Sequence, residues 1–426
     1  MNLTYCIIAA IKIGLGTWFL ALIFIMLYYL FFTKQQRPSP SNNAQSIPDH
    51  RAVASFGVLQ DRSLQNRLIA RAIPNGRLLD AFGIDNPFTT TSVITYRRFI
   101  QKVGPGLHGT KPKKWLKFFN AASTTLNLIL LQHRSVRYSL PLAALVRQLV
   151  FVSILHAFFG VDPNNVNLHD VDIATELINL LWVQSKTTPQ SYPLGGRVVL
   201  EVALRQILPD KFPCSAKDHP LNIIIPAYET MWRVVLLTFI SAGFRNVDQE
   251  TADQFRKVIE RGPECFKGSK SKDIRTMAVN FAKEGLRLYP PTKRVYRAVL
   301  TGPRSPPFIT YDEKIADIEK CHRDPNIWTN PEQFRPSRFL PEEFTDNMKE
   351  AYLPFSLAPH RCPAADTFAP HAIIILVVVL ARGLGTLESG SNVWFRNARL
   401  DEDRSALLPS GRLDMEDWKL EMKDVA

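Results

Sequence analysis

A lone cysteine in a proline-punctuated turn, followed at once by a long apolar run, constrains this chain more than any other feature. Cys362 lies in Phe355-Ser356-Leu357-Ala358-Pro359-His360-Arg361-Cys362-Pro363-Ala364, and the apolar stretch Ala369–Leu380 follows. Small residues and prolines let the backbone turn tightly, so that amide N–H groups can face the sulfur. Such a layout suits a thiolate held against a metal and shielded from water. A buried cysteine is also a common small hydrophobe, so the functional case has to come from residues upstream.

Composition narrows the class. Apolar residues make up 46% of the 426 positions and charged residues 21%, enough for a large core. The five cysteines (Cys6, Cys214, Cys265, Cys321 and Cys362) are scattered, with no CxxC pair. Neither a zinc site nor a disulfide framework is indicated, and a reducing compartment fits. The run Ile13–Phe32 is uncharged and bulky, long enough to cross a bilayer as a retained anchor rather than a cleaved leader. Lys34, Arg37 and Arg51 follow it and only Lys12 precedes it, which directs the bulk of the chain to the cytosol. The formal charge of +13 is spread along the chain without a basic block interleaved with aromatics. It points to anionic headgroups and an acidic partner protein rather than to nucleic acid.

Four segments follow from this reading: a membrane anchor over 1–33 (helix about 13–32), a Pro/Ser-rich linker over 34–54, a catalytic body over 55–400, and a polar, peripheral tail over 401–426. The body reads as mainly α with small β-sheets. Helical spacing covers Thr175–Trp182, Thr251–Arg261 and Ile274–Leu288. Short strands are expected near Arg294–Val299 and Phe308–Tyr311, around a loop at 302–307.

Three further motifs precede the cysteine loop. Pro226-Ala227-Tyr228-Glu229-Thr230 sets an acid and an alcohol in the apolar run Leu221–Ile240. That is costly unless they are paired or used. Pro226 removes a backbone N–H and predicts a kink, with room beside Thr230; a plain core helix with Glu229 paired to Arg233 is the competing reading. Glu284 and Arg287 are three apart on one helix face, before Leu288-Tyr289-Pro290-Pro291. Asp324-Pro325-Asn326-Ile327-Trp328 leads to Pro336-Ser337-Arg338-Phe339, where Arg338 could join the Glu284–Arg287 pair.

Together these motifs resemble the cytochrome P450 family: its oxygen-activating helix, its ExxR helix, its PxRF meander and its cysteine loop, in that order. The run from Arg67 to Thr90 also looks like the membrane-proximal part of anchored fungal members. The resemblance implies a P450 fold after one transmembrane helix, in a single-pass endoplasmic-reticulum protein with a cytosolic catalytic domain. It implies haem b with Cys362 as axial thiolate, His360 hydrogen-bonded to a propionate and Phe355 packed beside the sulfur. Arg297 and Trp115 become further propionate candidates. Glu284, Arg287 and Arg338 become a structural triad, and Glu229 and Thr230 the pair that delivers protons for dioxygen activation. Electrons would come from NADPH through cytochrome P450 reductase, with cytochrome b5 as an additional donor. The implied reaction is oxygen insertion into an apolar substrate, of terpenoid, polyketide or alkaloid type, in secondary metabolism. A haem-thiolate isomerase or dehydratase, and an inactive truncated haem-binding protein, are the rival readings.

Departures from the family pattern carry expectations too. Ala358 and Ala364 stand where glycines are usual, which predicts a distorted cysteine loop. Pro226 and Ala227 replace the usual small pair, and Phe119 replaces the arginine usual four residues after Trp115. The chain is also shorter than typical anchored members.

Overall fold

Helices dominate, and their ends follow the local chemistry. A computed structural model describes residues 45–107, 112–133, 139–187, 194–245, 247–267, 271–301 and 310–423. The anchor expected at 13–32 lies outside the described residues. The first helices are α1 (Ile47–Ala54), α2 (Leu64–Phe82), α3 (Val93–Leu107) and α4 (Pro112–Gln132). Strand β1 (Leu140–Pro141) leads into α5 (Leu142–Phe159), α6 (Leu168–Thr187) and α7 (Leu194–Ile207). A discontinuous helix follows: α8 (Leu221–Ile224), a π-turn over Ile225–Glu229, and α9 (Trp232–Gly243). After α10 (Gln249–Arg261) and α11 (Lys272–Leu288) come β2 (Arg294–Leu300) and β3 (Tyr311–Asp317). The remainder is α12 (Ile318–His322), α13 (Asp346–Ala351), α14 (Phe368–Leu384), β4 (Asn392–Trp394), α15 (Ala398–Glu402) and β5 (Lys419–Glu421).

The core is helix on helix. α14 is rich in β-branched residues yet helical, because it is apolar all round and buried on every side. It packs against α4, α9 and α11. α5 and the α8–α9 helix are each long and apolar enough to cross a membrane, but both are largely buried within the protein. β2 and β3 form an antiparallel pair with Arg294 opposite Asp317 and Leu300 opposite Tyr311. This pair packs on α1 and α2.

Two expectations fail. The stretch assigned to a linker ends in α1, where Ser46 and Asp49 form a reciprocal capping box and a proline sits in the first turn. Ser, Pro and Asp there start a helix rather than break one. Val53 packs with Ala316, Ile318, Cys321 and Leu353, which ties α1 to the body.

The C-terminal tail is not peripheral. β5 is the central strand of the antiparallel sheet β1–β5–β4. Leu408, Met415, Trp418 and Leu420 are buried in the main core, and Trp418 meets Phe395 edge-on at 4.9 Å. These apolar residues are interspersed with charges, so the segment reads as polar on average while its inward positions are not. Trp418→Ala should therefore lower unfolding free energy by about 3–5 kcal/mol, read from the denaturation midpoint. A peripheral tail would leave the midpoint unmoved.

Candidate active site

Four turns of α11 place Glu284 and Arg287 on one buried face. Glu284 Oε2 accepts from Arg287 Nε at 2.7 Å and Oε1 from Nη2 at 2.8 Å, both side chains being wholly buried. Arg338 Nε reaches Glu284 Oε1 at 3.4 Å, and the Arg335 backbone N–H reaches the same oxygen at 2.9 Å. The remaining guanidinium hydrogens go to main-chain carbonyls. Arg287 donates to His322 and Pro331, each at 2.7 Å; Arg338 donates to Thr329 and, at 2.7 Å, to Asn330. One carboxylate and two cations thus anchor the irregular segment 322–338 to α11.

His322 extends the network toward the cysteine loop. Its Nδ1 lies 2.9 Å from Arg287 O, and its Nε2 accepts the Leu353 N–H at 2.8 Å. With Nε2 accepting, Nδ1 carries the proton and donates. Burial, the largest cause, pushes this imidazole down to about 3, with the Arg287 and Arg323 charges adding to it. Leu353 stands just ahead of Phe355, whose carbonyl accepts the Cys362 N–H at 3.0 Å. Ala365 N–H returns to Cys362 O at 3.1 Å, closing a tight turn. The loop's left-handed residue is Ser356 (φ 58°), and neither Ala358 nor Ala364 takes a positive φ. The distortion expected from those alanines is absent; the conformational cost falls on Ser356, whose hydroxyl donates to Ala54 O at 3.2 Å.

Around Cys362 lies a group of cations. Arg67 Nε donates to His360 Nε2 at 3.2 Å, which leaves the His360 proton on Nδ1. Phe56, itself at φ 63°, lies between the Arg297 guanidinium (4.1 Å) and the His360 ring (5.0 Å). Tyr96 meets His360 edge-on at 5.2 Å, and Arg71 covers Phe88 at 4.5 Å. Burial, then Arg71, lowers Arg297 to about 9; burial also lowers Arg71 to about 10. His360 is held near 3 by burial and by Arg71, Arg67 and Arg297. Burial raises the Cys362 thiol, opposed by the Ala364 N–H and by Arg71 and Arg361.

This donor set fits an iron porphyrin. His360 Nδ1 and Arg297 Nε are buried hydrogen-bond donors with no acceptor, and none of the ion pairs among the described residues joins Arg67, Arg71 or Arg297 to a carboxylate. An anionic group with two carboxylates would satisfy both donors. A metal would draw the Cys362 thiol to the thiolate.

The other sequence candidates are placed as follows. Trp115 is buried on α4, stacked on His371 at 5.0 Å, tilted against Phe368 and edge-on to Phe118; none of its ring contacts among the described residues is with His360 or Arg297. Thr230 follows the π-turn, and its hydroxyl donates to Pro226 O at 2.7 Å. Glu229 is 1% exposed and does not pair with Arg233. It is held by Arg412, from the C-terminal segment, while Arg233 donates to Ser410 O and Pro291 O, each at 2.8 Å. Pro226 widens the turn and rotates Glu229 out of line with the next turn, so the i,i+4 pairing is lost. A polar cleft of 370 Å³ lined by Lys293, Glu319, Arg323 and Ser410 includes no residue of the cysteine loop.

A family model described as Cytochrome P450 matches residues 272–366, which hold the Glu284 network and the Cys362 loop. Carotene epsilon-monooxygenase of Arabidopsis thaliana is 28% identical over 180 residues, covering 39% of this chain and 32% of that protein. Rat cytochrome P450 4F1 is 36% identical over 90 residues, 20% of this chain and 17% of the relative. The fold is similar to the heme domain of a cytochrome P450DA mutant, with a TM-score of 0.60 at 13% identity, over 89% of this chain and 86% of that one. Similarity to the cytochrome P450 family is thus carried by residues 272–366, and the fold agrees with it. Its curated relatives are matched over about a third of their length or less.

Sequence reasoning passed over several residues of this site. Arg67 and Arg71 are spaced i,i+4 and so share one face of α2; two like charges on one face, beside the buried Leu68 and Ala72, were the available signal. Phe56 and Arg412 carry no local signal, since their partners are about 300 and 180 residues away in sequence.

Two predictions follow from the proximal network. Glu284→Gln leaves two buried guanidiniums without a counter-charge and should cost about 3–5 kcal/mol in denaturant unfolding. His322 has a folded pKa below its unfolded value of 6.5. The unfolded chain therefore binds the extra proton, and stability is lost as pH falls from 6.5 toward 3. His322→Gln, which can keep both hydrogen bonds, should flatten that slope; a slope unchanged by the substitution would refute the assignment.

Proposed function

We propose that the chain is a haem-thiolate monooxygenase that inserts one oxygen atom from O₂ into an organic substrate. The observation that carries this reading is the half-buried Cys362, turned tightly by the Phe355 carbonyl and flanked by buried donors that lack acceptors. A bound haem supplies dioxygen chemistry, its thiolate ligand pushing electron density toward O–O cleavage, a property described for this very family.

The chain's own residues have separable tasks. Cys362 would hold the haem iron through its sulfur, and the Phe355 carbonyl fixes its backbone. His360 Nδ1 and Arg297 Nε would donate to the propionates, with Arg67 orienting the His360 ring through Nε2. Glu284, Arg287 and Arg338 hold the segment beneath the cysteine loop. Thr230 offers a hydroxyl at the widened turn of the α8–α9 helix, and Glu229 a carboxylate beside it, restrained by Arg412. The apolar α5, α9 and α14 exclude water from this region.

The remaining parts of the reading rest on the sequence. Residues 13–32 anchor the protein once in the endoplasmic-reticulum membrane, with the catalytic body that follows in the cytosol. Electrons come from NADPH through cytochrome P450 reductase, with cytochrome b5 as an additional donor. The substrate belongs to secondary metabolism. Matched relatives act on carotene, flavonoid and leukotriene skeletons according to their names. The matched segment therefore leaves the choice of skeleton to the rest of the chain.

The carbon-monoxide difference spectrum of the reduced protein tests the reading. A red-shifted thiolate-type Soret band is expected, and Cys362→Ser should abolish it. A histidine-type band, or a band that survives the substitution, would overturn it. With reductase present, Thr230→Ala should raise the NADPH consumed per product formed. Product formation with no NADPH or O₂ consumed, and indifferent to Thr230→Ala, would indicate an isomerase instead.

A further inference from the structure

The proposed function makes no use of the 370 Å³ polar cleft. One of its walls is Lys293, ahead of β2, with Glu319 on α12 and Arg323 just after that helix. The other is Leu407–Ser410, with Arg399 of α15. Arg233 ties the two walls together, its terminal nitrogens donating to Pro291 O and Ser410 O, each at 2.8 Å. Arg323 is fixed as well, by a donation to Leu288 O at 2.7 Å.

Positive charge exceeds negative in this cleft, since three cations meet two carboxylates. Lys293 Nζ and Arg323 Nη2 share a single oxygen, Glu319 Oε1, at 3.1 and 3.2 Å. The Arg323 Nε is buried beneath the surface with no acceptor. Arg399 is exposed and forms no ion pair among the described residues. The acids close to it in sequence have other partners: Asp401 accepts the Phe395 and Asn397 N–H groups, and Asp403 accepts from Ser405. Glu332, the second carboxylate of the cleft, is exposed and also forms no ion pair among the described residues. Lys293 therefore keeps spare ammonium hydrogens, and Arg399 its guanidinium fork, for an acceptor from outside the chain.

These groups select the chemistry of a ligand. A guanidinium grips an oxyanion through paired N–H bonds, and an ammonium holds it as a point charge. A phosphate ester suits both, with three acceptor oxygens and about two negative charges at neutral pH. Leu407 and Pro409, each half-buried, set an apolar surface beside the cations. Inorganic phosphate would leave that surface in water, whereas the organic part of an ester covers it. A volume of 370 Å³ falls within the range of small-molecule sites.

We propose that this cleft binds a phosphate monoester, its oxygens between Lys293 and Arg399 and its organic part against Leu407 and Pro409. A soluble ester and a lipid headgroup share that chemistry. The site is separate from the donors around Cys362, since no residue of the cysteine loop lines it, and it does not rest on the proposed function.

Phenyl phosphate and phenol, titrated by calorimetry into the full-length haem-loaded protein near neutral pH and at low salt, test this. Phenyl phosphate should bind with one-to-one stoichiometry and about tenfold or more tighter than phenol. Arg399→Gln should weaken the ester by about fivefold or more. Glu332→Gln, which removes a facing carboxylate and keeps every cation, should tighten it. Both positions are exposed, so neither substitution disturbs the core. The Soret band should stay unmoved as the cleft fills. Equal affinity for ester and phenol, an ester affinity unchanged in either variant, or a Soret shift with the same midpoint would overturn the inference. Phosphatidylcholine vesicles with and without phosphatidate then separate the two sources. Displacement of phenyl phosphate by the phosphatidate vesicles alone assigns a lipid headgroup, and retention of phenyl phosphate assigns a soluble ester.

Discussion

Glu284 is the carboxylate on which the proximal half of the protein depends. Two guanidiniums and one backbone N–H converge on it, and the guanidiniums go on to bind five main-chain carbonyls of an irregular segment. An irregular segment has no ladder of its own to satisfy its carbonyls, so buried arginines take that part. Replacing the network with apolar side chains would leave those carbonyls stranded, which accounts for charge in so dry a place. His322 then passes the constraint from Arg287 to Leu353, at the entrance of the cysteine loop. Position and shape of the Cys362 turn are thereby set from α11.

The distal half is organised by charge in a different way. There Glu229 is held by Arg412, while Arg233 goes to main-chain carbonyls. The C-terminal segment is essential to this arrangement: it supplies Arg412 to Glu229, the Ser410 carbonyl to Arg233, and the central strand of the β1–β5–β4 sheet. The two halves are joined by α2, which has Arg67 and Arg71 near the cysteine loop and Arg77 over the Trp182 ring that also carries Arg412.

Local chemistry made much of this legible. Helical spacing located α6, α10 and α11, and the Pro226 kink appears as a π-turn. The spacing of Glu284 and Arg287 was readable because both sit on one helix, and Arg338 because its motif is dense. What stayed hidden was nonlocal. Arg412 gave no sign of its partner 183 residues away, and charged neighbours masked the buried positions of β5. Ser46, Pro48 and Asp49 were read as breakers because capping and breaking use the same residues. The alanines of the cysteine loop misled because the loop's positive φ falls on Ser356 and not on them.

The central claim is that Cys362 presents its sulfur to a haem iron held by this donor set. Iron-edge X-ray absorption on the haem-loaded protein tests it most directly. A sulfur scatterer in the first shell of iron is predicted for the natural chain and should vanish in Cys362→Ala, with Cys214, Cys265 and Cys321 still present. A first shell of nitrogen and oxygen alone in the natural chain, or a sulfur that persists in Cys362→Ala, would contradict the account.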